Sequence, residues 1–121
     1  MAARTPLSPR RGDVFLVALD PALGAEIQKT RPALVLQNDI GNQHSPVTIV
    51  AAITSNVVRR GPTGVLVAAP EGGLSVDSVI LLNQIRTIDK RRLGKRLGTL
   101  SASTMRQIDR ALMIGLGVID L

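Results

Sequence analysis

The chain has 121 residues and a formal net charge of +6, from 15 Lys and Arg against nine Asp and Glu. This length fits one domain, and Phe15 is its only aromatic residue, so aliphatic side chains must fill the core. Because the chain has no cysteine, disulfides, thiolate metal sites and a cysteine nucleophile are excluded.

No apolar run approaches the roughly 20 residues of a bilayer-spanning helix, and residues 1–10 contain no apolar stretch typical of a secretory signal. We therefore expect a cytoplasmic protein without membrane contact, with a flexible tail over residues 1–10 and a single domain over residues 11–121. A basic surface concentrates polyanions, of which nucleic acid is the commonest. Anionic membranes and acidic proteins attract the same charge, so the charge alone leaves the partner open.

Basic residues are concentrated late in the chain. The cluster consists of Arg86, Lys90, Arg91, Arg92, Lys95 and Arg96. Either these side chains keep a solvated turn soluble, or they form a stripe that contacts phosphate groups. The sequence leaves both interpretations open.

Short runs rich in β-branched residues predict strands, and the turn-forming residues between them predict loops. In the first half of the chain, strands are predicted over residues 14–19, 33–36 and 47–53, the last of them reaching Thr54 and Ser55. Pro32 marks the start of the second strand because proline cannot donate a ladder hydrogen bond. Residues 22–30 are predicted as a loop and residues 38–42 as a turn.

The second half of the chain changes from strands to a helix. Strands are predicted over residues 65–68, 79–82 and 97–100, and the strand at 79–82 continues over 84–88 after a possible bulge. From Ser101, in the N-cap position, the apolar residues follow the helical period; they are Met105, Ile108, Leu112 and Leu116. This order predicts a mainly β protein with a C-terminal helix, folded as a small, partly closed β-barrel plugged by that helix.

The residue inventory excludes several kinds of catalysis. His44 is the only histidine, so a histidine pair is absent. The carboxylates are scattered singly and lack the clustering that two-metal nucleases need. The chain also has no phosphate-binding P-loop motif and no nucleophile-elbow serine. We therefore expect no metal and no cofactor.

Arginine and hydroxyl chemistry remains. RNA carries its own nucleophile, the 2′-hydroxyl beside each phosphodiester. A protein that positions this hydroxyl and stabilises the charge developing on phosphate needs neither a metal nor a covalent intermediate. The planar guanidinium group of arginine matches phosphate oxygens better than an ammonium group does.

Four segments in order resemble the MazF/PemK family of toxins: R-G-D-V at residues 11–14, K-T-R-P-A-L-V-L-Q-N-D at 29–39, I-V-A-A-I-T-S at 49–55 and S-V-I-L-L-N-Q-I-R-T-I-D-K-R at 78–91. The resemblance covers nearly the whole chain. It implies an SH3-like small β-barrel of the CcdB/PemK type that works as a homodimer. It further implies a type II toxin that cleaves single-stranded RNA sequence-specifically without a metal. The expected products are 2′,3′-cyclic phosphate and 5′-hydroxyl ends, and the expected partner is an acidic, MazE-like antitoxin.

The resemblance places the catalytic arginine at Arg31 and the catalytic hydroxyl at Thr54. Arg31 precedes Pro32, which favours an extended backbone. We expect Arg31 to stabilise the transition state rather than act as a base, because the pKa of a guanidinium exceeds about 12. Without the resemblance, Arg31 would be interpreted as a surface or ion-pairing residue and Thr54 as an ordinary strand-end threonine.

Other polar residues near these two are candidates for substrate binding. Glu26 and Lys29 lie in the loop that covers the RNA groove in this family. The remaining candidates are Gln37, Asn38, Ser55, Asn56, Gln84 and Arg86. Turn capping explains Asn38 and Asp39 equally well, and a salt bridge would explain Arg86. Because the one aromatic ring lies in a core-like strand, base recognition must depend on hydrogen bonds, arginine planes and pocket shape rather than ring stacking.

Two alternatives remain. The first is a non-catalytic toxin on the same fold, like the gyrase poison CcdB, whose activity is associated with a tryptophan near the C-terminus; this chain has no tryptophan. The second is an RNA- or DNA-binding module without catalysis, which would bind in a salt-sensitive way and leave RNA intact.

Overall fold

The computed structural model describes residues 8–18 and 30–120, apart from the side chain of Arg59. Residues 1–7, the end of the first predicted strand, and the loop that carries Glu26 and Lys29 lie outside this range. Within it, Pro9 is buried, and the Arg10 backbone N–H donates to Asp13 Oδ2 at 2.9 Å.

Strands dominate the described residues, and a helix ends the chain, so the predicted fold class is confirmed. The strands are β1 (Asp13–Ala18), β2 (Thr30–Val35), β3 (Val47–Thr54), β4 (Gly64–Val67), β5 (Ser78–Asp89) and β6 (Leu93–Thr99). The helices are α1 (Asp39–His44) and α2 (Ala102–Gly115), with three single 3₁₀ turns at Val57–Arg59, Glu71–Gly73 and Lys90–Arg92. The strands form one antiparallel sheet in the order β4-β5-β3-β2-β1-β6.

The predicted bulge in the fifth strand is confirmed, although β5 itself is continuous. Ala52 of β3 pairs with Leu81, but its neighbour Ala51 pairs with Ile85. The three intervening residues of β5 therefore have no partner on β3. The first of them, Leu82, donates its backbone N–H to the carbonyl of Thr63 at 3.0 Å. A bulge of this kind bends the strand and increases its twist, and both effects help a short sheet to curve.

The prediction of a turn over residues 38–42 is wrong, because this segment forms helix α1. The Asn38 side chain caps the helix by accepting from the Gly41 N–H at 2.8 Å. Asn42 is fully buried and accepts a hydrogen bond from the Thr48 hydroxyl at 2.8 Å. A six-residue helix is marginal by itself, so this docking onto β3 stabilises it.

Both faces of the central strands are buried. Successive residues of β2 alternate between two apolar clusters: Leu34 belongs to one that includes Ile108 of α2, while Ala33 and Val35 belong to another that includes Phe15. Side chains alternate between the faces of a strand, so the sheet buries apolar residues on each side. This explains why the strands are nearly continuous apolar runs in the sequence.

The two ends of the sheet meet through backbone contacts at glycines. The 3₁₀ turn Glu71–Gly73, which follows β4, lies against β6. A Cβ on Gly98 would lie 2.7 Å from the carbonyl carbon of Gly72, and a Cβ on Gly73 would collide with the carbonyl oxygen of Leu97. The sheet thus stays open between β4 and β6, and the 3₁₀ turn after β4 packs closely against β6.

Helix α2 begins as predicted, with the Ser101 hydroxyl accepting from the Thr104 N–H at 3.2 Å. Its buried residues are Thr104, Ile108 and Ala111. Along the predicted apolar face, Ile108 is fully buried, Met105 and Leu112 pack partly buried against the same cluster, and Leu116, the C-cap residue, is 59% exposed. No helix in the described part of the chain is long and apolar enough to cross a membrane.

We predict that Gly98→Ala destabilises the protein, because the new methyl group would collide with the backbone of Gly72 and Gly73. Overpacking of this kind typically costs about 1–3 kcal/mol. Urea denaturation measures the change in the free energy of unfolding, and Lys95→Ala, at an exposed position of the same strand, is the control. Equal stability of Gly98→Ala and the wild type would show that the sheet ends do not meet as described.

Candidate active site

The sheet carries a groove with a volume of about 810 Å³, lined by strands from the first and the second half of the sequence. Its apolar floor includes Leu16 of β1, Ile53 of β3, Ile85 of β5 and Leu97 of β6. Its polar residues are Arg31, Thr54, Ser55, Ser75, Ser78, Gln84 and Arg86. The site is therefore assembled from segments more than 60 residues apart in sequence.

The strand pairing brings Arg31 and Thr54 together. Ala33 pairs with Ala52, Leu34 with Ala51 and Val35 with Val50, so this register, extended by two residues, sets Arg31 opposite Thr54. Residues directly opposite in an antiparallel pair have Cβ atoms about 5 Å apart. Both residues line the groove, and pairing of Arg31 with Val17 of β1 holds its backbone from the other side.

The Thr54 hydroxyl is oriented by its own backbone. Its oxygen accepts from the Asn56 N–H at 3.1 Å. A hydroxyl has one hydrogen to donate and two lone pairs, so this contact leaves the hydrogen available. The arrangement suits a hydroxyl that donates to an anion in the groove.

The groove is positively charged. Arg31 and Arg86 line it, both are exposed, and neither has an ion pair with any residue in the described range. No carboxylate is among the described residues that line the groove. Two guanidinium groups beside an apolar floor attract an anion more strongly than in open water, because the low-dielectric floor weakens solvent screening.

The structure brings together only part of the predicted site. Arg31, Thr54, Ser55, Gln84 and Arg86 all line the groove, and Gln84 lies within the β5 bulge. Glu26 and Lys29 lie outside the described residues.

Three other candidates are placed elsewhere, with their side chains engaged in local structure. Gln37 donates to Asn42 Oδ1 at 3.1 Å and to the Val47 carbonyl at 3.0 Å. Asn38 caps α1. Asn56 caps the turn after β3 by accepting from the Val58 N–H at 3.3 Å. In this structure these amides organise the backbone around α1 and at the end of β3.

The loop between β4 and β5 supplies groove residues that the sequence analysis missed. They are Gly73, Leu74, Ser75 and Val76, and Ser78 at the start of β5 joins them. Hydroxyl and aliphatic residues in a loop carry no chemical signature, and only the folded chain brings them near Arg31. The available signal was indirect: the Gly72-Gly73 pair marks a close approach of backbones.

The basic cluster is largely engaged by the protein itself. Arg91 forms an ion pair with Asp89 at 2.9 Å, and its side-chain hydrogen bonds are the main cause that lowers the pKa of Asp89 to about 2. Arg96 forms an ion pair with the buried Asp13 at 3.2 Å. Arg92 donates to the Ala18 carbonyl at 2.8 Å. Of the six basic residues, Arg86 is the one that lines the groove.

Glu71 connects the loop beside the groove to helix α2. Its Oε2 accepts from the Ser101 N–H at 3.0 Å. The pKa of Glu71 is lowered mainly by a side-chain hydrogen bond with Thr104, and further by the Ser101 backbone N–H. The same carboxylate thus binds two groups in the first turn of the helix, where the helix dipole also favours a negative charge.

Within residues 8–18 and 30–120, no group of three or more His, Cys, Asp or Glu side chains is placed to hold a metal ion. The polar chemistry of the described groove residues is that of guanidinium, hydroxyl and amide groups.

Fold and site together define a class of protein: a small six-stranded β protein with a C-terminal helix and a basic, hydroxyl-bearing groove. Residues 10–116 match the family of PemK-like, MazF-like toxins of type II toxin–antitoxin systems. Endoribonuclease EndoA of Bacillus subtilis (strain 168) is 49% identical over 112 residues, which cover 92% of this chain and 97% of that protein.

Solved structures give the same result. The Mycobacterium tuberculosis toxin MazF-mt6 superposes with a TM-score of 0.75 at 29% identity, over 90% of this chain and 99% of that one. A chain of the Deinococcus radiodurans MazE-MazF crystal structure (Form-II) superposes with a TM-score of 0.77 at 26% identity, over 93% of this chain and 98% of that one. An endoribonuclease in complex with its cognate antitoxin, from a mycobacterial species, superposes with a TM-score of 0.72 at 26% identity, over 94% of this chain and 98% of that one. The chain belongs to the family of PemK-like, MazF-like toxins.

We predict that Glu71→Gln lowers stability at neutral pH but not in acid. The pKa of Glu71 is lowered in the folded state, so its contribution is present above the ordinary pKa of 4.5 and is lost as the pH falls through the folded value. Urea midpoints of the two proteins should differ at pH 7 and converge as the pH falls below the folded-state pKa of Glu71. The other carboxylates are common to both proteins and largely cancel in the comparison. A difference that does not change with pH would contradict the assignment.

Proposed function

We propose that this protein is the toxin of a type II toxin–antitoxin system and a sequence-specific endoribonuclease that cleaves single-stranded RNA without a metal ion. The observation that carries the proposal is that Arg31 and Thr54 line the same basic groove, which has no carboxylate among its described lining residues. Membership of the family supports it, as does the name of the B. subtilis relative, an endoribonuclease.

In the proposed reaction, the 2′-hydroxyl of the substrate attacks the adjacent phosphorus. The bond to the 5′-oxygen breaks as the new bond forms, the 2′-oxygen loses its proton, and the 5′-oxygen leaves as a hydroxyl. The products are a 2′,3′-cyclic phosphate and a 5′-hydroxyl. The reaction uses RNA's own nucleophile, so DNA should remain intact.

Arg31 and Thr54 have complementary parts in this scheme. The guanidinium of Arg31 binds a non-bridging oxygen and stabilises the added negative charge of the transition state. The Thr54 hydroxyl, whose oxygen is already bonded to the Asn56 N–H, donates its hydrogen to the phosphate. Arg86 binds a second phosphate, and Ser55 and Gln84 supply hydrogen bonds to the RNA.

We extend the proposal to assembly and place of action. The protein works in the cytoplasm as a homodimer, and an acidic antitoxin inhibits it by covering the basic groove. Structures of relatives with a cognate antitoxin support this partnership. Arg31 and Arg86, which form no ion pair within the described residues, offer the charge that an acidic segment would bind.

We predict that Arg31→Ala lowers the cleavage rate about 10²–10³-fold, as loss of one transition-state donor does elsewhere. Arg31→Lys should recover little, since an ammonium group lacks the fork of donors. Thr54→Ala should lower the rate about 10- to 100-fold, as expected for a hydrogen bond to a charged group. Thr54→Ser, which keeps the hydroxyl, should stay near the wild type.

The assay uses a long single-stranded RNA in excess EDTA, with a DNA copy as the control substrate and mapping of the fragment ends. Arg91→Ala, which removes a cation outside the groove, is the matched control and should cleave normally. RNA left intact by the folded wild-type protein would refute catalysis. Binding without cleavage would then favour the module alternative, and gyrase inhibition would favour the CcdB-like one.

We also predict that Arg86→Ala reduces the salt dependence of RNA binding. Each phosphate contact on a single strand contributes about −0.7 to the slope of log K against log salt. Affinities for an RNA with a 2′-deoxy residue at the cleaved position, measured at several salt concentrations, give this slope. Arg91→Ala should leave the slope nearly unchanged, and an equal change in both variants would contradict a specific role for Arg86.

A further inference from the structure

Base recognition in this protein lacks the usual aromatic platform. Phe15, the only aromatic residue, is 2% exposed in an apolar cluster. The described residues that line the groove contain no aromatic ring. A protein that reads RNA bases here still needs an apolar surface for a base. A base that is unstacked from its neighbours in the RNA loses stacking energy, and contact with an apolar side chain of the protein replaces it.

Val76 is an exposed aliphatic side chain inside this groove. It is 54% exposed and lines the same groove as Arg31 and Arg86. Leu74, two residues earlier in the same loop, is 4% exposed and belongs to the core. The loop therefore packs well against the core, and Val76 is exposed at one position of a packed loop.

Hydrogen bonds of the two residues after Val76, Asp77 and Ser78, hold the loop in place. The Ser78 hydroxyl donates to the Val76 carbonyl at 2.9 Å, and Ser78 is itself buried. The Asp77 carboxylate accepts from the Ala69 N–H at 2.9 Å, across the base of the loop. The loop conformation is thus set before any ligand binds, which removes the entropic cost of ordering it.

The start of the same loop is fastened to the rest of the protein. Glu71 binds the first turn of α2, and the Gly73 backbone packs against Leu97 of β6. The loop forms a rigid groove wall, and β-branched Val76 has few side-chain rotamers to lose on contact.

We propose that Val76 is a specificity-determining residue, an aliphatic platform against which one RNA base packs beside the phosphates bound by Arg31 and Arg86. This inference rests on the proposed endoribonuclease function. The occupant is RNA rather than another protein surface, because Val76 shares its groove with hydroxyl groups and with two guanidinium groups that form no ion pair among the described residues. The platform explains how a chain without an exposed aromatic ring in its described groove reads a sequence.

The test compares Val76→Ser and Val76→Ile with the wild type on an RNA library of randomised sequence. Val76→Ser should raise KM about 3- to 10-fold, as expected for a lost apolar contact, with kcat nearly unchanged. Sequencing of the cleaved ends should show weaker preference at one position of the recognised site. Val76→Ile keeps the apolar surface and should retain both KM and the preference.

Ile40→Ser is the matched control, because Ile40 is 74% exposed in α1, at the opposite end of β3 and roughly 20 Å from Thr54. It should cleave like the wild type. Thermal unfolding of each variant checks that all are equally folded.

The outcomes separate this inference from the proposed function. If the wild type cleaves and Val76→Ser keeps its KM and its preference at every position, the inference is overturned while the function stands. If Val76→Ser keeps its KM and its sequence preference but has a lower mass in analytical ultracentrifugation, the side chain belongs to a contact between copies of the chain. This result also overturns the inference. If the wild type does not cleave, the proposed function fails first.

Discussion

The antiparallel register of β2, β3 and β5 is the constraint on which the rest of this structure depends. A slip of one residue would turn every side chain to the opposite face. Ala33, Leu34 and Val35 are completely buried and alternate between two apolar clusters, so a slip would bring the wrong side chain to each cluster. Apolar packing on both faces thus fixes the register that sets Arg31 opposite Thr54.

The R-G-D segment of the family resemblance serves the scaffold and not the groove. Arg11 donates to Asp109 at 2.7 Å and to the Leu36 carbonyl at 2.8 Å, while its backbone N–H donates to Asp39. One residue thus joins the start of β1 to both helices. Asp13 is 2% exposed and pairs with Arg96. These contacts give a physical reason for such a segment in a chain whose chemistry lies elsewhere.

Charge is distributed selectively over this basic protein. Where guanidiniums lie outside the groove, several are engaged: Arg11 with Asp109, Arg91 with Asp89 and Arg96 with Asp13. Arg31 and Arg86, within the groove, have no such partner among the described residues. Composition alone describes the total charge and not this placement.

The sequence by itself determined the local elements: the strands, the bulge in β5, and the start of α2 at Ser101. These elements are determined by residues close together in the sequence, since β-branched runs, turn residues and a capping hydroxyl act over a few positions. It also pointed, through family resemblance, to Arg31 and Thr54. It was wrong about the turn at 38–42, because the turn-forming composition of this segment does not show that buried Asn42 docks onto Thr48 of β3.

Tertiary structure alone decided which polar side chains share the groove. Gln37 and Asn38 follow the Arg31 strand closely, yet packing turns their amides to α1. Val76 lies 45 residues from Arg31 in the chain and joins it across the groove. Side-chain identity states what a residue can do, whereas pairing register and loop closure determine what lies beside it. Both depend on contacts far apart in sequence, which local patterns cannot report.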